Sequence, residues 1–247
     1  MSLLNPIIAP FKGFQLCLFD PEVRKASMLP WLVGGLISIL TSGLLLFLFP
    51  KIVAFILLHL SLSVSIFSQI ISWIVSIFVS ILIAALVTMI VVLVLCSYYH
   101  FKIAQIVLTK RGYTLKELTA IKEIGRSSVT EILKLLWLIP LYIVIFIIGL
   151  IPIFTPLAFI GWGILAGYQF LDYPLDTLHF GAFGRLGFVL KHLFSAMLFG
   201  TTLVLLSGVP FLIFFITPAA VAGASWLIAE MNWVERENAD NSLKSAR

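Results

Sequence analysis

Residues 135–171 read LLWLIPLYIVIFIIGLIPIFTPLAFIGWGILAGYQFL, a run with no charged side chain that is interrupted near its middle by Pro152 and Pro156. As one helix it would be about 55 Å long at 1.5 Å per residue. That is far more than the roughly 30 Å hydrocarbon core of a bilayer, and barely enough for two crossings. The prolines supply the break, so the run is expected to fold as a hairpin of short, partly penetrating helices. Residues 192–229 repeat the pattern, again without charge and with Pro210 and Pro218 inside.

Working outward, residues 26–50 and 52–101 are also charge-free. The chain has 247 residues, of which 16 are Lys or Arg and 11 are Asp or Glu. Charged residues make up 11% and hydrophobic ones 61%, and the mean hydropathy is +1.14. A soluble globular domain carries about 25% charge, so a soluble enzyme is excluded. In hydrocarbon the backbone must satisfy its own hydrogen bonds, and these blocks are too long and apolar for barrel strands. The expected fold is an all-α integral membrane protein, a single polytopic domain over residues 1–247. The N-terminal stretch, with Pro6, Pro10 and Lys12, lacks a short apolar core before a small-residue cleavage site, and does not read as a removable signal.

The first span is expected at about 26–49, with Asp20 as helix cap and Pro21 in the first helical position. Leu60 to Ser65 alternates with period two, so residues 51–66 read as an external loop or interfacial segment and the second span as about 67–97. Between 102 and 134 the chain is charged, and Leu115, Leu118, Ile121, Val129, Ile132 and Leu136 recur at near-helical spacing. This reads as an amphipathic cytoplasmic helix along the inner membrane surface, or one continuing into the third block. Residues 230–247 form a polar tail. Lys12, Arg24 and Lys25 precede the first block, Lys51 follows it, and Lys102, Lys110, Arg111, Lys116, Lys122, Arg126 and Lys134 follow the second. The positive-inside rule puts the N-terminus and the 102–134 segment in the cytoplasm; returning hairpins then put the C-terminus there too. The net charge of +5 is accounted for by these flanks rather than by nucleic acid.

Several residues invite a chemical reading. Thr155-Pro156 and Thr217-Pro218 resemble helix starts inside the membrane, where free N–H groups suit an anion; the alternative is a plain turn. Arg24 and Lys25 form a basic pair that suits an oxyanion or, alternatively, only anchors the helix. Asp20 and Glu22 count against the anion reading unless they point away to cap the helix. Asp172, Tyr173, Pro174 and Asp176, with Arg185 beyond, read as a structural polar cluster or as an acid–base pair, with Pro174 expected to break a simple helical arrangement of the two carboxylates. Ser68, Ser72, Ser76, Ser80, Ala84 and Thr88, and likewise Gly34, Ser38 and Ser42, recur every fourth residue, a packing stripe or a polar pore lining. Cys17 and Cys96 form no Cys-x-x-Cys pair, and His59, His100, His179 and His192 form no metal motif. No glycine-rich phosphate loop is present, so an ATPase within this chain is not expected, nor is any cofactor or metal.

The order of these features resembles the bacterial CysZ sulfate-permease family and its wider relatives. The resemblance is carried by Gly13, Pro21, Arg24-Lys25 and Leu29-Pro30; by Tyr168-Gln169 with Asp172-Tyr173-Pro174-Leu175-Asp176 and Arg185; and by Pro218-Ala219-Ala220-Val221 with Gly223-Ala224. It implies two long transmembrane helices plus two pairs of partly penetrating ones, cytoplasmic termini, a homo-oligomer in the bacterial inner membrane, and sulfate import supplying cysteine synthesis. It also associates the basic pair, here Arg24 and Lys25, with sulfate. Lys25 departs from the commoner Arg and loses the planar fork while keeping the charge. Tyr98-Tyr99-His100-Phe101-Lys102 departs from the small residue, proline and asparagine usual in relatives. The expected function is membrane transport of sulfate, with Arg24, Lys25, Thr155 and Thr217 as contacts to the anion. A transporter of another oxyanion, a non-transporting scaffold docking through 102–134, and an intramembrane enzyme using Asp172 and Asp176 are the competing readings.

Overall fold

The computed structural model describes residues 4–59, 66–115, 120–208 and 212–231, and all regular structure among them is helical. Helix α1 spans Leu4–Phe19, α2 Pro21–His59, α3 Ile66–Leu95, α4 Ser97–Lys110, α5 Ala120–Gly149, α6 Thr155–Thr177, α7 Ala182–Lys191, α8 Leu193–Ser207 and α9 Leu212–Glu230. Among the described residues Pro21–Val53, Val129–Gly149 and Pro152–Thr177 are long and apolar enough to cross a membrane. The chain is an all-helical, multi-pass membrane protein. It divides into two compact units, one of residues 32–94 and the other of residues 1–31 and 95–247.

In the first unit α2 runs on through Pro50 and Lys51 to His59, so residues 51–59 are helical rather than loop. Proline there removes one backbone bond and no more, and the apolar flanks keep the remaining ones away from competing water. The alternating serines at 61–65 lie outside the described residues, as does most of the polar tail. Gly34 and Ser38 on α2, and Ser76 and Ser80 on α3, are buried, while Ile39, Leu40, Leu44, Trp73 and Ile74 face outward. The side chains of Ser68, Ser72, Ala84 and Thr88 lie outside the description. Small residues inward and large apolar ones outward is the packing logic of helices in lipid.

The second unit is built on two close helix crossings. A Cβ on Gly13 of α1 would meet the backbone of Ala219 and Gly223 on α9, and one on Gly223 would meet the backbone of Ala9. In the same way Gly163 and Gly167 on α6 abut Ala196, Gly200 and Thr201 on α8. Backbone-to-backbone approach of this kind is open only to small residues, and it multiplies dispersion contacts where no hydrophobic force distinguishes protein from lipid. Helices α5 and α6 form the first hairpin, joined by a short 3-10 turn at Pro152–Phe154 and zipped by Trp137–Tyr168 and Tyr142–Trp162 ring pairs at 5.4 and 5.1 Å. Helices α8 and α9 form the second, and α7 meets α8 at 91°.

The charged segment 102–134 holds the end of α4 at Lys110, a turn, and the start of α5, which is described from Ala120 and continues into the third block, the second of the two arrangements expected for it. Where the side chains of α5 are described, Val129, Ile132 and Leu136 are exposed while Glu131 and Lys134 are buried. A helix surrounded by lipid turns its apolar residues out and its charges in, the opposite of a helix on a water-facing surface. One expectation changes: α9 is described from Leu212, so Thr217 and Pro218 lie inside it and open no helix.

The crossings give a stability test. Replacing Gly200 by Ala is expected to lower the thermal midpoint in detergent by roughly 5 °C, because the added methyl meets the Gly163 carbonyl and the Gly167 N–H. Gly35→Ala, with nothing within 4 Å of the new atom, is expected to leave it unchanged or slightly raised. Equal losses in the two variants would contradict the crossing.

Candidate functional site

The last turns of α6 carry a buried charge cluster. Glu131, Lys134, Leu135 and Leu138 form one buried stripe on α5 at spacings of three, four and seven residues, which presents the two charges to α6. The Lys134 ammonium stands 2.8 Å from Glu131 and 3.2 Å from Asp172. It also lies 4.1 Å from the centre of the Tyr173 ring, a cation–π contact. Gln169 donates from Nε2 to Glu131 at 2.7 Å. His100 of α4, wholly buried, closes on Tyr173 with ring centres 5.3 Å apart.

Arg185 reaches this cluster because of the turn that ends α6. The N–H of Phe180 bonds the carbonyl of Leu175, and that of His179 bonds Asp176, with His179 in the left-handed conformation at φ 66°. This is the two-bond stop that reverses a helix end. It sends α7 back so that Arg185 Nη1 lies 3.2 Å from Asp172 and 3.1 Å from Asp176. The expectation that Pro174 breaks the helical relation of the two carboxylates is therefore corrected. Pro174 sits in the last turn of α6, Leu178 N–H bonds its carbonyl at 3.0 Å, and both carboxylates hold one guanidinium. The buried ion pairs outweigh the single backbone bond that proline removes. Among these described residues three carboxylates face two cations.

A second, exposed charge system surrounds the junction of α1 and α2. Asp20 caps α2, accepting from the N–H groups of Glu22 at 3.1 Å and Val23 at 3.3 Å, with Pro21 in the first helical position. Helix α4 ends in the same two-bond stop, Tyr113 N–H to Leu108 and Gly112 N–H to Thr109, with Gly112 at φ 92°. This fixes Lys110 and Arg111 at the helix end. Lys110 Nζ lies 2.7 Å from both Asp20 oxygens and 3.1 Å from Glu22. Arg111 pairs with Glu230 at 3.0 Å and lies over the Trp226 ring. A cavity of about 440 Å³ opens here, lined among others by Lys12, Gln15, Phe19, Asp20, Arg111 and Trp226.

Arg24 and Lys25 are exposed on the first turns of α2, and no ion pair among the described residues engages either. Thr155 opens α6, but its hydroxyl donates to the carbonyls of Gly149 at 3.2 Å and Ile151 at 3.4 Å instead of capping the helix. Thr217 is buried in the interior of α9. The structure thus joins Asp172, Asp176 and Arg185 with Tyr173, and adds Glu131, Lys134, Gln169 and His100. The sequence signal for Glu131 and Lys134 was present: two opposite charges three residues apart at the edge of an apolar block.

Charge counting orders two variants of the buried cluster. Lys134→Met leaves three carboxylates against one cation and is expected to cost about 3–5 kcal/mol. Asp172→Asn brings the count to balance and is expected to cost clearly less; thermal unfolding in detergent that reversed this order would refute the assignment. The exposed pair gives a pH test. Burial pushes the Asp20 carboxyl up, but hydrogen bonds from Lys110, Val23 and Glu22 outweigh it and hold it below its ordinary range. The hydrogen bond with Asp20, foremost, holds Lys110 above its own. A depressed carboxyl stabilises the fold above its unfolded value of about 3.9 and loses that effect as pH falls through the lower, folded value. Asn also caps helices, so the melting difference between the natural chain and Asp20→Asn is expected to persist at neutral pH and to vanish in acid once the pH has fallen through the lowered folded value.

Comparison with known proteins places this architecture. A family described as sulfate transporter CysZ/etoposide-induced protein 2.4 matches residues 9–218. The sulfate transporter CysZ of Pectobacterium atrosepticum is 32% identical over 133 residues, 51% of this chain and 46% of that protein. The sulfate transporter CysZ of Pseudomonas fluorescens is 30% identical over 122 residues, 48% of this chain and 47% of that protein. The match therefore spans about half the length of these curated relatives. With the family pattern running from α1 into α9 and three of the described helices long and apolar enough to cross a membrane, the chain belongs to the family of the sulfate transporter CysZ and the etoposide-induced protein 2.4.

Proposed function

We propose that this protein carries sulfate, or an oxyanion of similar size and charge, across the bacterial inner membrane, inward and without an ATPase of its own, supplying sulfur for cysteine synthesis. Arg24 and Lys25 are the contacts to the anion at the cytoplasmic face. The observation that carries this reading is the placement of their acidic neighbours. Asp20 is turned into the cap of α2 and, with Glu22, is held by Lys110. The basic pair is left exposed at the positive end of a 39-residue helix, where two side-chain cations and the helix dipole act on an anion together. The uncapped start of α6 near Thr155 offers further N–H donors. The names of the relatives from Pectobacterium atrosepticum and Pseudomonas fluorescens support sulfate as the substrate.

The distribution of Lys and Arg supports cytoplasmic termini. Lipid covers the outward-facing Leu, Ile and Phe of α2, α5 and α6, and the family resemblance supports assembly into a homo-oligomer. The buried Asp172–Arg185 system acts as a structural latch rather than as an acid–base centre, since both carboxylates are committed to cations.

Labelled sulfate uptake into proteoliposomes tests the reading. The natural chain is expected to take up sulfate saturably, and an Arg24→Ala, Lys25→Ala variant of unchanged melting temperature is expected to lose at least tenfold in uptake at low substrate, about 1.4 kcal/mol of lost interaction. Uptake preserved in the variant would move the anion site elsewhere. No uptake by either would favour a scaffold.

A further inference from the structure

The first turn of α2 is electrically self-defeating when read alone. Asp20 and Glu22 lie within about one and a half helical turns of Arg24 and Lys25, and the four charges sum to zero. Lys110 changes that sum, although it belongs to α4 and is ninety residues away in sequence. Its ammonium sits at 2.7 Å from each oxygen of Asp20 and 3.1 Å from Glu22, so one cation serves both carboxylates. Arg111 next to it adds no net charge to the corner, being paired with Glu230.

We propose that Lys110 is a positioning residue for the oxyanion site: its one positive charge offsets half of the negative charge of Asp20 and Glu22 and so leaves the corner that holds Arg24 and Lys25 net positive toward an incoming anion. The inference rests on the reading of Arg24 and Lys25 given above. It assigns Lys110 no contact with the anion. The residue acts through the two carboxylates, and its location follows from the glycine stop at Gly112, which ends α4 with Lys110 facing the α1–α2 junction.

The competing account makes Lys110 a mechanical tie between α4 and the junction, and the two accounts separate once the carboxylates are removed along with the lysine. Equilibrium binding of labelled sulfate to the detergent-purified full chain is the measurement, with melting temperature followed in each variant. Lys110→Gln is expected to raise the dissociation constant about fourfold at low ionic strength, the effect of one charge lost about 10 Å from a divalent anion in water. That difference is expected to shrink as inert salt shortens the screening length. Lys110→Arg is expected to bind like the natural chain. The triple variant Asp20→Asn, Glu22→Gln, Lys110→Gln keeps a capping residue at position 20 and removes both negative charges; it is expected to bind at least as tightly as the natural chain.

A folded triple variant as weak as Lys110→Gln would overturn the proposal in favour of the mechanical tie. Lys110→Gln binding unchanged, while Arg24→Ala, Lys25→Ala binds weakly, would overturn it and leave the anion site standing. Undiminished binding by Arg24→Ala, Lys25→Ala would overturn the site itself and the proposal with it.

Discussion

A charge inside a bilayer-embedded protein must find its opposite within the protein, and the cluster of Glu131, Lys134, Asp172, Asp176 and Arg185 is where this chain meets that requirement. The stripe of α5 that turns inward, the register of the α5–α6 hairpin and the reversal at His179 all serve to bring these five side chains together. Losing any one of these arrangements would strand a charge in a medium of low dielectric. The cost of that outweighs the one backbone bond lost at Pro174 and the left-handed strain at His179. The glycine crossings have a complementary part. They bring backbones together on the far sides of α6 and α9, so that the hairpins are fixed by shape where they are not fixed by charge.

Much of this was legible in the sequence, and the unreadable part has an identifiable cause. Charge-free runs too long for one crossing and divided by proline specify hairpins, because hydrocarbon leaves a backbone few options. The two Thr-Pro pairs show the limit. Thr155-Pro156 follows Gly149 and Pro152, which have already ended α5, and there a helix does start. Thr217-Pro218 follows Leu212 to Ile216, which are already helical, and there the proline is absorbed within α9. A local motif names what the chain is able to do; the preceding residues decide what it does. The burial of Glu131 and Lys134 was hidden in the sequence for a related reason. Spacing reveals a face, but only the surroundings decide whether that face turns in or out, and here Val129, Ile132 and Leu136 are exposed while Glu131 and Lys134 are buried.

At the candidate site the actors were legible in the sequence but their pairing was not. Arg24, Lys25, Asp20 and Glu22 are adjacent in the chain, and from the order alone they form a balanced patch. The contact that unbalances it comes from α4, and no spacing rule links residue 110 to residue 20. The glycine at 112 is the one local hint, since it ends α4 at the residue pair that then reaches back to Asp20 and Glu230.

The two charge systems also constrain where a divalent anion finds a favourable place. The cations of the buried cluster are already engaged by its carboxylates, so entry there would set an anion against buried negative charge. The α2 corner is the reverse in each respect: solvated, positive once Lys110 is counted, and backed by the N-terminal end of a long helix. Solvent weakens each contact there, which favours release as well as capture, and a transported ion must leave the site as readily as it enters. On the proposed reading, a chain that moves an anion gains from separating the two tasks, with charges that hold the fold closed off in the interior and charges that would meet the substrate kept at the rim.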